Sequence, residues 1–175
     1  MAMEHFRKLL LVVAFAVATL TPHLLRAQEM ELSDAVYERI TQLSKEGDDL
    51  ADNGRFREAV ERYLQALELV PDPKTDWEAS TWLLAAIGDA NFNSKNYEHA
   101  SAALNDAMHC PGAIGNPFIH LRLGQSQFEL GNIDRANDEL ARAYMGAGKE
   151  IFANEDPKYF AHLKTVLRPP ANGEW

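Results

Sequence analysis

The chain is poor in the residues that build cross-linked or reactive centres. Among its 175 residues there is one cysteine, Cys110, which excludes an internal disulfide and any zinc site built from thiols. Its neighbours His109 and Pro111 read as the end of a helix, so a packing role is expected for the thiol. Ten glycines and eight prolines, the prolines clustered, exclude a generally disordered or low-complexity chain. Positive charge is also scarce. The net charge is -9, and Arg7, Lys8 and Arg26 against Glu4 make residues 1–27 net +2, so the remainder carries -11. Such a surface repels phosphate backbones and anionic lipid, which excludes nucleic acid as the expected partner. A protein segment that is basic or apolar is the easier partner.

The groupings that carry catalysis are missing too. There is no glycine-rich phosphate loop and no histidine pair with metal-ligand spacing. The six histidines are His5, His23, His99, His109, His120 and His162, and they are scattered along the chain. His120 follows an apolar run and is expected to be packed or exposed, not a ligand. Ser101 and Ser126 have no identifiable base. No catalytic residue, metal site or cofactor is therefore expected.

What is present begins with a separate N-terminal unit. Arg7 and Lys8 precede the uncharged run Leu9 to Leu20, followed by Thr21-Pro22 and then Leu25-Arg26-Ala27. Twelve residues fall short of the roughly 20 that cross a bilayer. The order of basic, apolar and small residues is that of a signal peptide, residues 1–27, cut after Ala27. This predicts an exported protein, periplasmic or secreted, with no stable membrane insertion after cleavage. The alternative is a start at Met30, directly before the first helix, and a cytoplasmic protein.

The rest of the chain is organised by a repeat. Gly47 is followed by Ala59, Tyr63 and Ala66; Gly88 by Ala100, Leu104 and Ala107; Gly124 by Ala136, Leu140 and Ala143. Each glycine thus has alanines 12 and 19 positions on and a large apolar residue at 16, and the glycines are 41 and 36 apart. Small residues at fixed offsets serve two antiparallel helices that cross closely, even though glycine costs about 1 kcal/mol against alanine in a helix. Asn53-Gly54, Lys95-Asn96 and Gly131-Asn132 fall where the helices of a pair turn. Thr75 and Glu78 match a capping box. Asn116-Pro117 and Asp156-Pro157 read as an N-cap followed by proline at the first helical position.

This spacing resembles the tetratricopeptide repeat, whose unit is 34 residues. The resemblance implies an all-α fold: a right-handed superhelical stack of three helix pairs with a C-terminal capping helix, behind the signal segment. The expected domain is 28–167, with repeats at about 40–73, 81–114 and 117–150, a cap at 157–167 and a tail at 168–175. The expected pairs are 32–52 with 56–69, 75–93 with 97–109, and 117–130 with 134–145.

In that family the first helix of each pair lines a concave groove. The resemblance points Ser44, Asp48, Trp82, Asp89, Phe92, Phe118, Leu121, Gln125 and Phe128 into it, with Asp52 beside them. Aromatic side chains are the favoured anchors of interfaces, and carboxylates pair with Lys or Arg. The implied function is non-catalytic: an adaptor or scaffold that binds a partner segment in an acidic, aromatic-lined groove. Relatives that grip a terminal carboxylate use Lys, Asn and Arg where this chain has Ser44, Asp48, Ala85 and Asp89, so that ligand is not expected. The stretches Pro71–Trp82, Gly115–Arg122 and Glu155–Phe160 also look like short bacterial members of the family. Some of those accompany polymorphic toxins as presumed immunity proteins, which implies a second role, inhibition of a cognate toxin. Such proteins are usually cytoplasmic. Self-association is left open by the residues.

Overall fold

A computed structural model describes residues 31–169 together with 173 and 175. The expected signal segment, 1–27, lies outside the described residues. Contacts divide the chain into one unit of Met1–Asp34 and another of Ala35–Trp175. Among the described residues all regular structure is helical. The α-helices are α1 (Asp34–Asp52), α2 (Phe56–Leu69), α3 (Glu78–Asn93), α4 (Tyr97–Ala107), α5 (Pro117–Glu129), α6 (Ile133–Ala147) and α7 (Pro157–Val166). Single 3-10 turns occupy Lys74–Asp76 and Lys149–Phe152.

Two burial patterns explain how the helices stack. In α2 the buried residues are Ala59, Tyr63 and Ala66, and in α6 they are Ala136, Leu140 and Ala143. Offsets of three and four put each set on one stripe, so these helices are covered on one side only. By contrast α3 buries Ala79, Leu83, Ala85, Ile87 and Ala90 among others, spread around its circumference. A helix buried all round has neighbours on several sides: α3 packs on α2, α4 and α5, with α5 in turn against α4 and α6.

The glycines of the repeat stand at the tightest approaches. A Cβ on Gly88 would lie 2.5 Å from Leu104 Cγ, and one on Gly124 2.9 Å from the backbone nitrogen of Leu140. Gly47 meets the ring of Tyr63 in the same way. Turn closure recurs as well. Arg55 N donates to Leu50 O at 2.9 Å, Asn96 N to Asn91 O at 2.8 Å and Asn132 N to Gln127 O at 2.9 Å. Those positions are again 41 and 36 apart. Gly54 and Gly131 have φ of 72° and 77°, and the middle turn uses Lys95 at φ 64° instead.

Helix starts follow the sequence at two places and depart at one. Asn116 accepts from Phe118 N at 3.0 Å and Asp156 from Lys158 N at 2.9 Å, each with proline next in the chain. The capping box at Thr75 does not form. Lys74–Asp76 make a turn of their own, Trp77 is extended at φ -112°, ψ 129°, and α3 begins only at Glu78 with no side-chain cap. Nor is the expected tail free of contacts, because the Trp175 ring packs 5.8 Å from Tyr144 and 6.0 Å from Phe160. Lys149 Nζ donates to Trp175 O at 2.7 Å.

Candidate functional site

A cavity with a volume of about 650 Å³ lies where α1, α3 and the start of α5 face one another. Ala51, Ala85, Ala86 and Ala90 leave it open because their side chains are short. Trp82 and Phe118 stand at its sides, 40% and 38% exposed. Asp48, Asp52, Glu78 and Asp89 bring the carboxylates. Pro111 and Gly112, from the loop between α4 and α5, close one edge. That loop is held by Thr81 Oγ1, which donates to Pro111 O at 2.7 Å.

The carboxylates are not equivalent. Asp48 accepts from the Tyr63 hydroxyl at 2.8 Å, and Asp89 from Arg122 Nε and, at 3.1 Å, from Asn93. Burial first, then the hydrogen bond to Asp48, pushes the Tyr63 hydroxyl far above its ordinary range, so it remains a donor. Asp52 and Glu78 are exposed and belong to none of the ion pairs formed among the described residues. The uncommitted negative charge is therefore that of Asp52, at the end of α1, and of Glu78, at the start of α3.

Five residues expected in the groove are located differently. Ser44 is buried at 7% exposure and its hydroxyl donates back to Ile40 O at 2.8 Å. Leu121 is in the core with Leu140, Phe152, Tyr159 and Leu163. Gln125 is fully buried and donates to Glu155 Oε2 at 2.9 Å. Phe92 and Phe128 are half-buried under Tyr159, whose ring centroid is 6.3 Å and 5.6 Å from theirs. The reason is the same for the last four: the segment from Phe152 to Leu163 lies over them. Asp48, Asp52, Trp82, Asp89 and Phe118 do line the one cavity.

The sequence reading missed Arg122. Its side chain is 11% exposed and bonds to Asp89 on α3 and to Glu155, at 2.5 Å, before α7. Its guanidinium also lies 4.8 Å from the Phe92 ring centroid and 5.5 Å from that of Phe118. Burial alone would ease its proton off, but the two carboxylates outweigh that and hold it charged. A carboxylate is thus bound on this face after all, and it belongs to the chain itself. No feature of the repeat spacing marks this residue. The only signal was its isolation, since no other Asp, Glu, Lys or Arg stands between Asp106 and Glu129.

His120 was also missed as a contact. It is buried, with Nδ1 2.6 Å from Glu139 Oε2 and Nε2 2.7 Å from Ile114 O, so it ties the α4–α5 loop to α6. Among the described residues no group of three His, Cys, Asp or Glu side chains is placed to hold a metal ion. No described helix is long and apolar enough to cross a membrane.

No family model matches the chain. Tetratricopeptide repeat protein 33 of Homo sapiens is 32% identical over 65 residues, covering 37% of this chain and 25% of that protein. The chain thus spans about a quarter of that relative's length. Two solved human structures are similar in fold. The second TPR domain of RPAP3, in complex with the HSP70 peptide SGPTIEEVD, matches with a TM-score of 0.57 at 14% identity, covering 75% of this chain and 97% of that one. The first TPR domain of RPAP3 matches with a TM-score of 0.55 at 18% identity, covering 73% and 89%. The likeness is one of fold, and on it the chain has a tetratricopeptide-like helical architecture.

Proposed function

We propose that the chain is a non-catalytic protein-interaction module that takes a segment of a partner protein into the cavity between α1, α3 and α5. One observation carries this reading: Trp82 and Phe118, large aromatic residues, are left partly exposed in a concavity of about 650 Å³. That volume lies within the span of ordinary ligand sites, roughly 300–1,000 Å³. Exposed aromatics in a concave site are the anchors that dominate interface energies. The RPAP3 domain of similar fold is described with a bound peptide, which supports the same mode of use here. The carboxylates of Asp48, Asp52 and Glu78 favour a basic or apolar partner segment.

The three helix pairs are read as three repeats at about 40–73, 81–114 and 117–150, stacked in a right-handed superhelix. Residues 1–27 are read as a signal peptide, which makes the working compartment the periplasm or the cell exterior. N-terminal sequencing of the protein from its host tests that part. A first residue at Gln28 supports it, and one at Met30 or Met1 overturns it.

The interaction reading is tested by capture from native extract with the full chain and with Trp82→Ala and Phe118→Ala variants, followed by crosslinking. A protein held by the wild type, lost from both variants and crosslinked to the cavity supports it. Capture that is unchanged by both substitutions sinks it. If the captured partner is a toxin whose activity the chain blocks, the module is an inhibitor of the immunity type.

A further inference from the structure

Resting on that reading, we infer that the chain fills half of its own binding face. The segment Glu155–Tyr159 occupies the part beside Arg122. A partner is left the other part, where it presents one cationic and one apolar side chain.

The covered part is built as a bound peptide would be. Glu155 puts a carboxylate oxygen 2.5 Å from Arg122 and 2.9 Å from Gln125. Tyr159 sets its ring against Phe92 and Phe128 and donates its hydroxyl to Glu129 at 2.6 Å. Lys158 adds an ion pair to Glu129 at 2.6 Å. An anion, an aromatic ring and a cation from one short segment thus meet complementary groups on α3 and α5. All three contacts are intramolecular, so they are present at a high effective concentration that a free competitor must overcome.

Arg122 marks the division. It binds Glu155 on one side and Asp89 on the other, which removes Asp89 from the charge offered to a partner. Beyond it the open cavity keeps Asp52 and Glu78 uncommitted, with Asp48 presenting whatever its bond to Tyr63 leaves free. Between the acids and Phe118 the alanines and Trp82 make an apolar bed. Charge complementarity therefore specifies a Lys or Arg directed at the α1 wall, and the bed specifies an apolar side chain next to it. An acidic segment meets repulsion in the open part and an occupied seat in the other.

Three fluorescein-labelled hexapeptides are the probes: alternating Lys–Leu, Lys–Ser and Glu–Leu. Binding to the full chain is read by anisotropy and mapped by chemical shifts on isotope-labelled protein. The Lys–Leu peptide is expected to bind more tightly than the other two, weaken with added salt, and move the resonances of Asp52, Trp82 and Phe118. Those of Glu155 and Tyr159 stay in place. Asp52→Lys, at an exposed position that leaves packing alone, weakens it about tenfold, which is about 1.4 kcal/mol. Shifts centred on Glu155 and Tyr159, a preference for Glu–Leu, or the absence of binding by any of the three would each overturn the inference. If a natural partner is still lost on Trp82→Ala while no hexapeptide binds, the interaction reading survives and the division of the face does not.

Discussion

Leu140 stands opposite Gly124 with its backbone nitrogen 2.9 Å and its Cγ 2.8 Å from where a Cβ on residue 124 would lie. Gly88 faces Leu104 and Gly47 faces Tyr63 as closely, but there the nearest atoms are all side-chain atoms. A side chain can turn aside, whereas a backbone atom in a helix moves only with the helix. Alanine gains about 1 kcal/mol of helix propensity over glycine, and overpacking a tight core costs roughly 1–3 kcal/mol. At Gly124 the second effect wins. Gly124→Ala is expected to lower stability by about 1 kcal/mol net, and Gly88→Ala by less, in urea titrations. A Gly124→Ala protein as stable as the wild type would show that α5 and α6 are not locked at this distance.

Arg122 is the next position where a small change has a large effect. Arg122→Met leaves Asp89 and Glu155 without their shared cation, and breaking a buried pair in this way costs on the order of 3–5 kcal/mol when fully desolvated. Asp89 is 32% exposed at its side chain, so about 2 kcal/mol is the expected loss. Glu155→Gln is expected to cost less, because Arg122 keeps Asp89. A double-mutant cycle between Arg122 and Glu155 measures the coupling, and a value near zero would mean that the segment before α7 is held by its other contacts, those of Gln125, Phe152 and Tyr159 among them.

Glu129 makes the attachment of α7 depend on pH. Burial raises its carboxyl, but the hydrogen bonds from Lys158 and Tyr159 outweigh that and hold it below the ordinary range. A carboxylate with a lowered folded-state pKa stabilises the fold above its unfolded value, about 4.3, and that contribution fades as pH falls through the folded value. The wild type is therefore expected to exceed Glu129→Gln in stability at pH 7. The gap should close below about pH 4. Urea midpoints of both proteins from pH 7 to pH 3 check the trend, and a gap that widens in acid would contradict it.

Cys110 is 7% exposed, with its Sγ against Asp106 O at 3.7 Å. Burial and the nearby Asp106 push the thiol up, which leaves little thiolate at neutral pH. Labelling by a disulfide reagent is expected to be slow in buffer and fast in denaturant. Rapid labelling of the native protein would show that the α4–α5 loop opens readily.

Trp82→Ala is expected to change stability by no more than about 0.5 kcal/mol, since the side chain is 40% exposed. Partner binding should fall by about 2 kcal/mol. Calorimetric titration alongside a urea midpoint separates the two effects.

The close approaches between successive helices were legible because their signal is local and periodic. Gly47, Gly88 and Gly124, each followed 16 positions later by Tyr63, Leu104 or Leu140, mark contacts within one pair, and a contact at fixed separation leaves a fixed spacing in the chain. Asn116-Pro117 and Asp156-Pro157 marked helix starts for the same reason, since a cap is a bond between near neighbours. Thr75 failed because the turn at Lys74–Asp76 and the extended Trp77 intervene before the helix.

The fate of the face that α3 and α5 present was set otherwise. The helical period puts Leu121, Gln125 and Phe128 on one face of α5, and that much follows from 3.6 residues per turn. Whether the surface meets a partner or the chain's own Phe152–Leu163 depends on contacts about 30 residues and more apart, such as Arg122 with Glu155 and Tyr159 with Glu129. Such contacts obey no period. They form because Glu155, before α7, and Tyr159, within it, bring an anion and a ring to a cation on α5 and to one aromatic each on α3 and α5, a match that appears only once the helices have been stacked.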